Sequence, residues 1–224
     1  GLRHQPAKPK QATQTITPGT LTIGLEGTFA PFSYRQNGQL TGFEVDLSTA
    51  IAKKLGLKPK YVQTKWDSLI AGLGAKRYDV IFNDVGITPE RQKTYLFATP
   101  YLYAKTVLIK RTDEPHLNNL ADLKGRKMAQ STTSEAMNLI TTKRADGALN
   151  DLGAYATWKK ANPTAHTTAI DLSQESPATP AAPLLNKQNT ALQKAINHAL
   201  KDLAADGTLK KLSLKYFNAD LTQP

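Results

Sequence analysis

Apolar positions along the chain change period in a repeating order. The run over 21–25 reads as a buried strand, and Phe43, Leu47, Ala50, Ile51 and Leu55 then recur at helical spacing, with Gly56 where a C-terminal glycine cap belongs. A second strand is expected near 60–63, followed by a helix marked by Trp66, Leu69, Ile70 and Leu73 and ended by Gly74. "YDVIF" (78–82) is a continuous apolar run of the kind that parallel sheets bury on both faces. Strand, helix, strand, helix, strand is an α/β unit.

A second alternating set follows. Strands are expected over 105–111, 126–130 and 145–151, with helices over "NLADLKG", 135–143 and "GAYATWKKA" between and after them. Residues 163–183, rich in Pro, Thr and Ala, read as loops. The tail is helical: Leu192, Ile196, Ala199, Leu200 and Leu203 form one stripe stopped by Gly207, and Leu209, Leu212 and Tyr216 begin a shorter one. Two such sets predict two lobes with a cleft between them. Residues 1–18 lack any period and read as a flexible basic leader, with order beginning near Gly19.

Composition narrows the classes of function. With 40% hydrophobic residues the 224-residue chain holds a sizeable core, so disorder as a whole is excluded. Cysteine is absent, which excludes a disulfide, a thiolate metal site and a cysteine nucleophile. The net charge of +11 predicts attraction to polyanions, including anionic cell-wall polymers, but the lysines are scattered, so no specific nucleic-acid groove is expected. No apolar run is long enough to cross a bilayer, and no signal peptide opens the chain, so secretion implies that one has been removed.

In open α/β sheets the binding crevice lies beyond the carboxyl ends of the strands. Glu26, Phe29 and Phe32 follow the first strand, "NDVGITPER" (83–91) follows the third, and "STTS" (131–134) and Asp151 hold the equivalent places in the second set. Arg91 can hold a carboxylate by two parallel hydrogen bonds, and the backbone amides of Gly86 and Thr133 can add donors. Asp84 and Asp151 can accept from an ammonium, while Phe29, Phe32 and Trp66 can wall an aliphatic or thioether body. Asn83, Ser131 and Thr132 complete the candidate set. One cation, several acids and aromatic walls suit a zwitterion.

Each residue also has a plainer reading. Arg91 can be a surface ion-pair partner, Trp66 can be packing, and Asp151 can be only the N-cap of the following helix. Glu26 and Asp84 can be exposed loop acids. Of the two phenylalanines, Phe32 is the better core candidate and Phe29 the better pocket wall.

"GTLTIGLEGTFAPFSY", "GQLTGFEVDLSTAIAKKLG", "WDSLIAGLGAKRYDVIFNDVGITPER", "FATPYLYAKTVLI", "DLKGRKMAQSTTS", "KRADGALND" and "ADGTLKKLSLKYF" together resemble the extracytoplasmic polar amino-acid-binding proteins of ABC importers, solute-binding protein family 3. The resemblance implies the periplasmic-binding-protein type II fold, two α/β lobes joined by two hinge strands with a ligand cleft between them. Lobe 1 would take 19–104 plus 184–224 and lobe 2 would take 105–183, with crossings near 103–104 and 183–185. By the same resemblance Arg91 and the backbone of Gly86 and Thr133 hold the ligand's α-carboxylate. Asp151, helped by position 84, holds its α-ammonium, and Phe29 stacks on its side chain. "GLEGTFAPF", "TKWD" and "ERQKTYLFATPY" look most like the cystine-binding branch, in which Glu26 would meet a distal ammonium.

The implied protein is a monomeric receptor, not an enzyme, without cofactor or metal. It would lie at the cell surface or in the periplasm, and its closed form would be recognised by an ABC permease. Two features depart from the family pattern. Asp84 replaces a residue that is neutral in many relatives, which favours a cationic amino acid such as arginine, lysine or histidine. Ser134 runs directly into "EAMNLI" where the family has a further helix and strand, so either lobe 2 is shortened or a segment after Ser134 is missing from the sequence. The second is preferred, because losing a strand and its covering helix exposes core surface. Two rival functions stand beside the receptor: a cell-wall or adhesion role for the basic surface, and a lyase on the same fold. The lyase is weakly supported, since His4, His116, His166 and His198 lie in the leader, loops or tail.

Overall fold

The structure, a computed structural model, describes residues 14–224, so residues 1–13 of the expected leader over 1–18, with His4, lie outside the described residues. In chain order the elements are β1 (Thr20–Leu25), β2 (Tyr34–Gln36), β3 (Gln39–Thr41), α1 (Phe43–Lys54), β4 (Lys58–Gln63), α2 (Trp66–Gly74), β5 (Val80–Ile81) and α3 (Pro89–Thr94). They continue with β6 (Tyr95–Phe97), β7 (Leu102–Ala104), β8 (Thr106–Arg111), β9 (Met128–Ala129), α4 (Thr133–Thr141), β10 (Gly147–Asp151) and α5 (Leu152–Ala161). The last are β11 (Thr167–Asp171), β12 (Thr179–Ala181), β13 (Leu184–Asn186), α6 (Thr190–Ala205) and α7 (Thr208–Phe217).

The chain divides into two compact units. The first takes the residues up to Tyr101 together with Ala181–Leu212, and the second takes Leu102–Pro180 and Ser213–Pro224. The sequence expectation had kept 213–224 with the first lobe.

The first unit is built on a five-stranded sheet in the order β4-β1-β5-β13-β6. β1 runs parallel to β4 on one side and to β5 on the other, while β13 is antiparallel to β5 and β6. Leu69 and Leu73 of α2 pack with Tyr78, Ile81, Val85 and Leu184, all buried. Gly24 is required by a close approach: a Cβ there would stand 2.7 Å from ring carbons of Tyr78, a fully buried side chain. Order also starts before Gly19. The Ile16 N–H donates to Asp79 Oδ1 at 2.8 Å, the Thr22 N–H donates to Asp79 Oδ2 at 2.8 Å, and Thr17 bridges to Thr20. Asp79 is buried, so its two oxygens need these donors, and meeting that need fixes the chain entering β1.

The second unit carries a four-stranded sheet in the order β11-β8-β10-β9. β8 is antiparallel to both neighbours and β9 is parallel to β10. Its core joins Val107 and Ile109 to Ala136, Met137 and Ile140 of α4 and to Tyr155 of α5. β7 and β12 form a separate two-stranded sheet.

Several expectations are corrected. Residues 163–183 are not all loop: β11 pairs along its length with β8, although its half-buried "TTAID" shows little alternation. "NLADLKG" forms only a 3-10 turn, Leu120–Leu123, with the Asn119 side chain accepting from the Asp122 N–H. Gly74 is the last residue of α2 rather than its stop; Lys76 takes the left-handed turn, with φ 59°. Ser134 lies inside α4, into which the chain runs from β9 without a further element.

Candidate ligand-binding site

Because β1, β4 and β5 are parallel, the residues that follow them emerge at one edge of the first sheet. Glu26 follows β1, Trp66 opens α2 after β4, and Asn83, Asp84 and Gly86 follow β5. The Glu26 N–H donates to Asn83 Oδ1 at 2.9 Å, which ties the first and third of these loops together. Asn83 is buried, and Glu26 is half-buried. Phe29 and Phe32 stack with ring centroids 4.6 Å apart; Phe29 is 38% exposed and Phe32 half-buried, so Phe32 is not simply core.

Arg91 is set by a local sequence device. Thr88 caps α3, its Oγ1 accepting from the Arg91 N–H at 3.1 Å, and Pro89 occupies the first helical position, where a missing N–H costs nothing. The guanidinium then lies 5.5 Å from the centre of the Trp66 ring, with Nη1 donating to Gly86 O at 2.8 Å. A guanidinium has five N–H donors, so this bond does not exhaust it. The aromatic face favours the cation and fixes its plane. Trp66 itself is 40% exposed, and its face is engaged by Arg91 rather than being packed away as core.

Asp84 is exposed and takes a left-handed backbone conformation, φ 51°. Its N–H donates to Glu44 Oε2 at 2.7 Å, and the Tyr101 hydroxyl donates to the same oxygen. Glu44 lies in the first turn of α1 and is completely buried. Burial is the main cause that pushes its carboxyl up to about 8; the Tyr101 and Asp84 donors oppose the change, and the charges of Asp84 and Glu26 add to it.

In the second unit β9 and β10 are parallel, so Ser131 to Thr133 and Asp151 also emerge at one sheet edge. Thr132 stands at the N-cap of α4 and, like Ser131, is exposed. Thr133 is half-buried, and its hydroxyl lies 3.5 Å from Asn150 Oδ1, which also accepts from the Asp151 N–H at 2.8 Å. Asp151 is the N-cap of α5, with Oδ2 accepting from the Ala154 N–H at 3.0 Å. The plainer reading of Asp151 is therefore present in the structure, and it aims the carboxyl from the end of a strand. Among the described residues no group of His, Asp or Glu is arranged to hold a metal ion.

Glu44 and Asn150 were not singled out from the sequence. Glu44 stands between Phe43 and Val45, both buried, and a charge flanked by apolar residues at a helix start is the signal that could have found it. Asn150 sits one residue before Asp151 and offered no comparable signal.

A two-unit α/β chain with acids, a seated arginine and aromatic walls at its strand ends has the build of a solute receptor, and the family comparison agrees. Residues 21–219 match the bacterial extracellular solute-binding proteins, family 3, and the chain belongs to that family. Its fold is the α/β periplasmic-binding-protein type II fold.

Among its relatives is a probable amino-acid ABC transporter-binding protein of Haemophilus influenzae, 38% identical over 91% of this chain and 87% of the relative. The L-cystine-binding protein TcyJ of Escherichia coli is 37% identical over 92% of this chain and 85% of its own length. The solved L-cystine solute receptor of Neisseria gonorrhoeae, in its unliganded open conformation, superposes with a TM-score of 0.84 at 36% identity, covering 92% of this chain and 96% of the receptor. The alignment to the Haemophilus protein runs over 226 residues but takes in 91% of a 224-residue chain, so that relative carries residues where this chain has none. The protein is a solute-binding protein of the amino-acid ABC importer type.

Proposed function

We propose that the protein captures an amino acid with more than one charged group, cystine first among the candidates, and delivers it to an ABC permease from the cell surface or periplasm. The observation that carries this reading is the Arg91 guanidinium, oriented by Trp66 and Gly86 in the unit whose same sheet edge presents Glu26 and Asp84. In this reading Arg91, with the amides of Gly86 and Thr133, binds the α-carboxylate. Asp151 and Asp84 receive the α-ammonium, Glu26 meets the distal ammonium, and Phe29 and Phe32 wall the chain between. Asn83 fixes Glu26, and Ser131 and Thr132 flank the carboxylate. Cystine has two ammonium and two carboxylate groups, which suits a site with several acids and an arginine; arginine, lysine and histidine share part of that match. The cystine-binding names of two relatives support the same choice.

Ligand contacts drawn from both units favour a closed form, because that form alone makes both sets, and no bond is made or broken. The test is a fluorescence titration of ligand-stripped protein, following Trp66, with cystine, arginine, lysine, histidine and glutamine. Saturable quenching by cystine at micromolar or lower concentration is expected; no response to any of the five contradicts the reading.

The charge of +11 supports a second, compatible role, in which the basic surface tethers the receptor to anionic wall polymers. Release from isolated cell walls by high salt is expected, and retention at high salt contradicts it.

A further inference from the structure

We propose that Glu44 is a further acid of this site, a buried proton-exchanging carboxyl that positions Asp84 through its backbone amide and releases its proton when a cationic ligand settles beside Glu26 and Asp84. This rests on the reading of those two residues as ligand-side acids. The geometry is specific. Glu44 Oε2 takes both available donors, the Asp84 N–H at 2.7 Å and the Tyr101 hydroxyl, while Oε1 is buried without a hydrogen-bond partner. A buried anionic oxygen with no donor is costly, whereas a neutral carboxyl with its hydrogen on Oε1 leaves the carbonyl oxygen to accept both bonds. The surroundings add little polarity: Tyr101 is flanked by Phe43 and Phe82 at ring separations of 6.0 and 5.5 Å.

From the elements around it, the titratable groups that act on Glu44 are Tyr101, Asp84 after β5 and Glu26 after β1. Both charged ones are negative, so both hold the proton on Glu44. An ammonium or guanidinium placed beside them cancels part of that field and lets the proton leave to solvent. Ligand binding and proton release are then one linked equilibrium: raising the pH through the Glu44 titration strengthens the binding of a cation. Glu44 also accepts the amide of Asp84 in its left-handed conformation, so it positions the carboxylate whose charge it senses.

The Asp84 amide reports this directly by nuclear magnetic resonance. In ligand-free wild type its shift is expected to inflect near pH 8, to lose the inflection in E44Q, and to inflect at higher pH in Y101F, which removes a donor to the ionised form. Saturating L-arginine is expected to move the wild-type inflection to lower pH. The ratio of wild-type to E44Q affinity for L-arginine should then rise several-fold, up to about tenfold, between about pH 7 and 9, a comparison in which the ligand's own titration cancels. Calorimetry in buffers of different ionisation enthalpy should show proton release in wild type and less in E44Q. No inflection in wild type, or one that arginine leaves in place while it binds, overturns the proposal even though capture stands. Failure of arginine and cystine to bind at any pH brings down capture and the coupling together.

Discussion

The Arg91 guanidinium lies 5.5 Å from the centre of the Trp66 ring while donating to the carbonyl of Gly86 at 2.8 Å. These three residues come from a helix start after β4, the loop after β5 and the helix after that loop, and together they fix one cation at a sheet edge. Removing the ring should therefore weaken ligand binding without removing the charge. A cation–π contact at a partly exposed site contributes about 0.5–1 kcal/mol, so Trp66→Ala is expected to lower amino-acid affinity about two- to fivefold. Calorimetric titration measures it, and an unchanged affinity refutes the orienting role of Trp66.

Glu44 makes the stability of the protein depend on pH in an unusual direction. Its carboxyl is held up to about 8 by burial, so between its ordinary range and that value the folded state keeps a proton that the unfolded state gives up. The contribution is present in full at acid pH and is lost as pH rises through about 8, on the order of a few kcal/mol in total. Burial also raises Asp79, which acts with the same sign. Urea unfolding between pH 5 and 9 should show stability falling with pH in wild type and a flatter profile in Glu44→Gln.

A methyl group has no room at Gly24. The Cβ of alanine would stand 2.7 Å from the ring of buried Tyr78, whose hydroxyl is bonded to Leu69 O. Gly24→Ala is expected to destabilise the fold by about 1–3 kcal/mol, read as a lower urea midpoint with an unchanged slope.

Asp79 ties the segment before β1 to the sheet through the Ile16 and Thr22 amides. Asp79→Ala leaves both donors without their acceptor and should cost about 1–3 kcal/mol, with faster hydrogen exchange at Ile16 and Thr22. Exchange unchanged at both amides contradicts the assignment.

Long, strongly patterned elements were legible in the sequence. β1, α1, α2, β8, α4, β10, α5 and α6 follow apolar runs or stripes. The strands β6 and β13 are only three residues each, too short to show a period, and their pairing joins residues far apart in sequence. β11 was hidden because a half-buried, threonine-rich strand resembles a loop in composition.

The candidate residues were legible as strand-end positions, but their partners were not. Nothing local joins Arg91 to Trp66, or Glu26 to Asn83 across 57 positions. Glu44 was missed because a charged side chain inside an amphipathic stripe reads as solvent-facing, and only the fold shows that two donors meet it underneath. Asp151 caps α5 through one oxygen, and that bond also fixes the direction of its carboxylate.

The most direct test of the receptor reading is a calorimetric titration of ligand-stripped protein with L-cystine, run beside Arg91→Ala. One site per chain in wild type, weakened at least about a hundredfold in the variant by loss of a charged hydrogen-bonded partner, is the expected result. Wild-type binding that survives unchanged in Arg91→Ala contradicts the account, because the seated guanidinium is its central element.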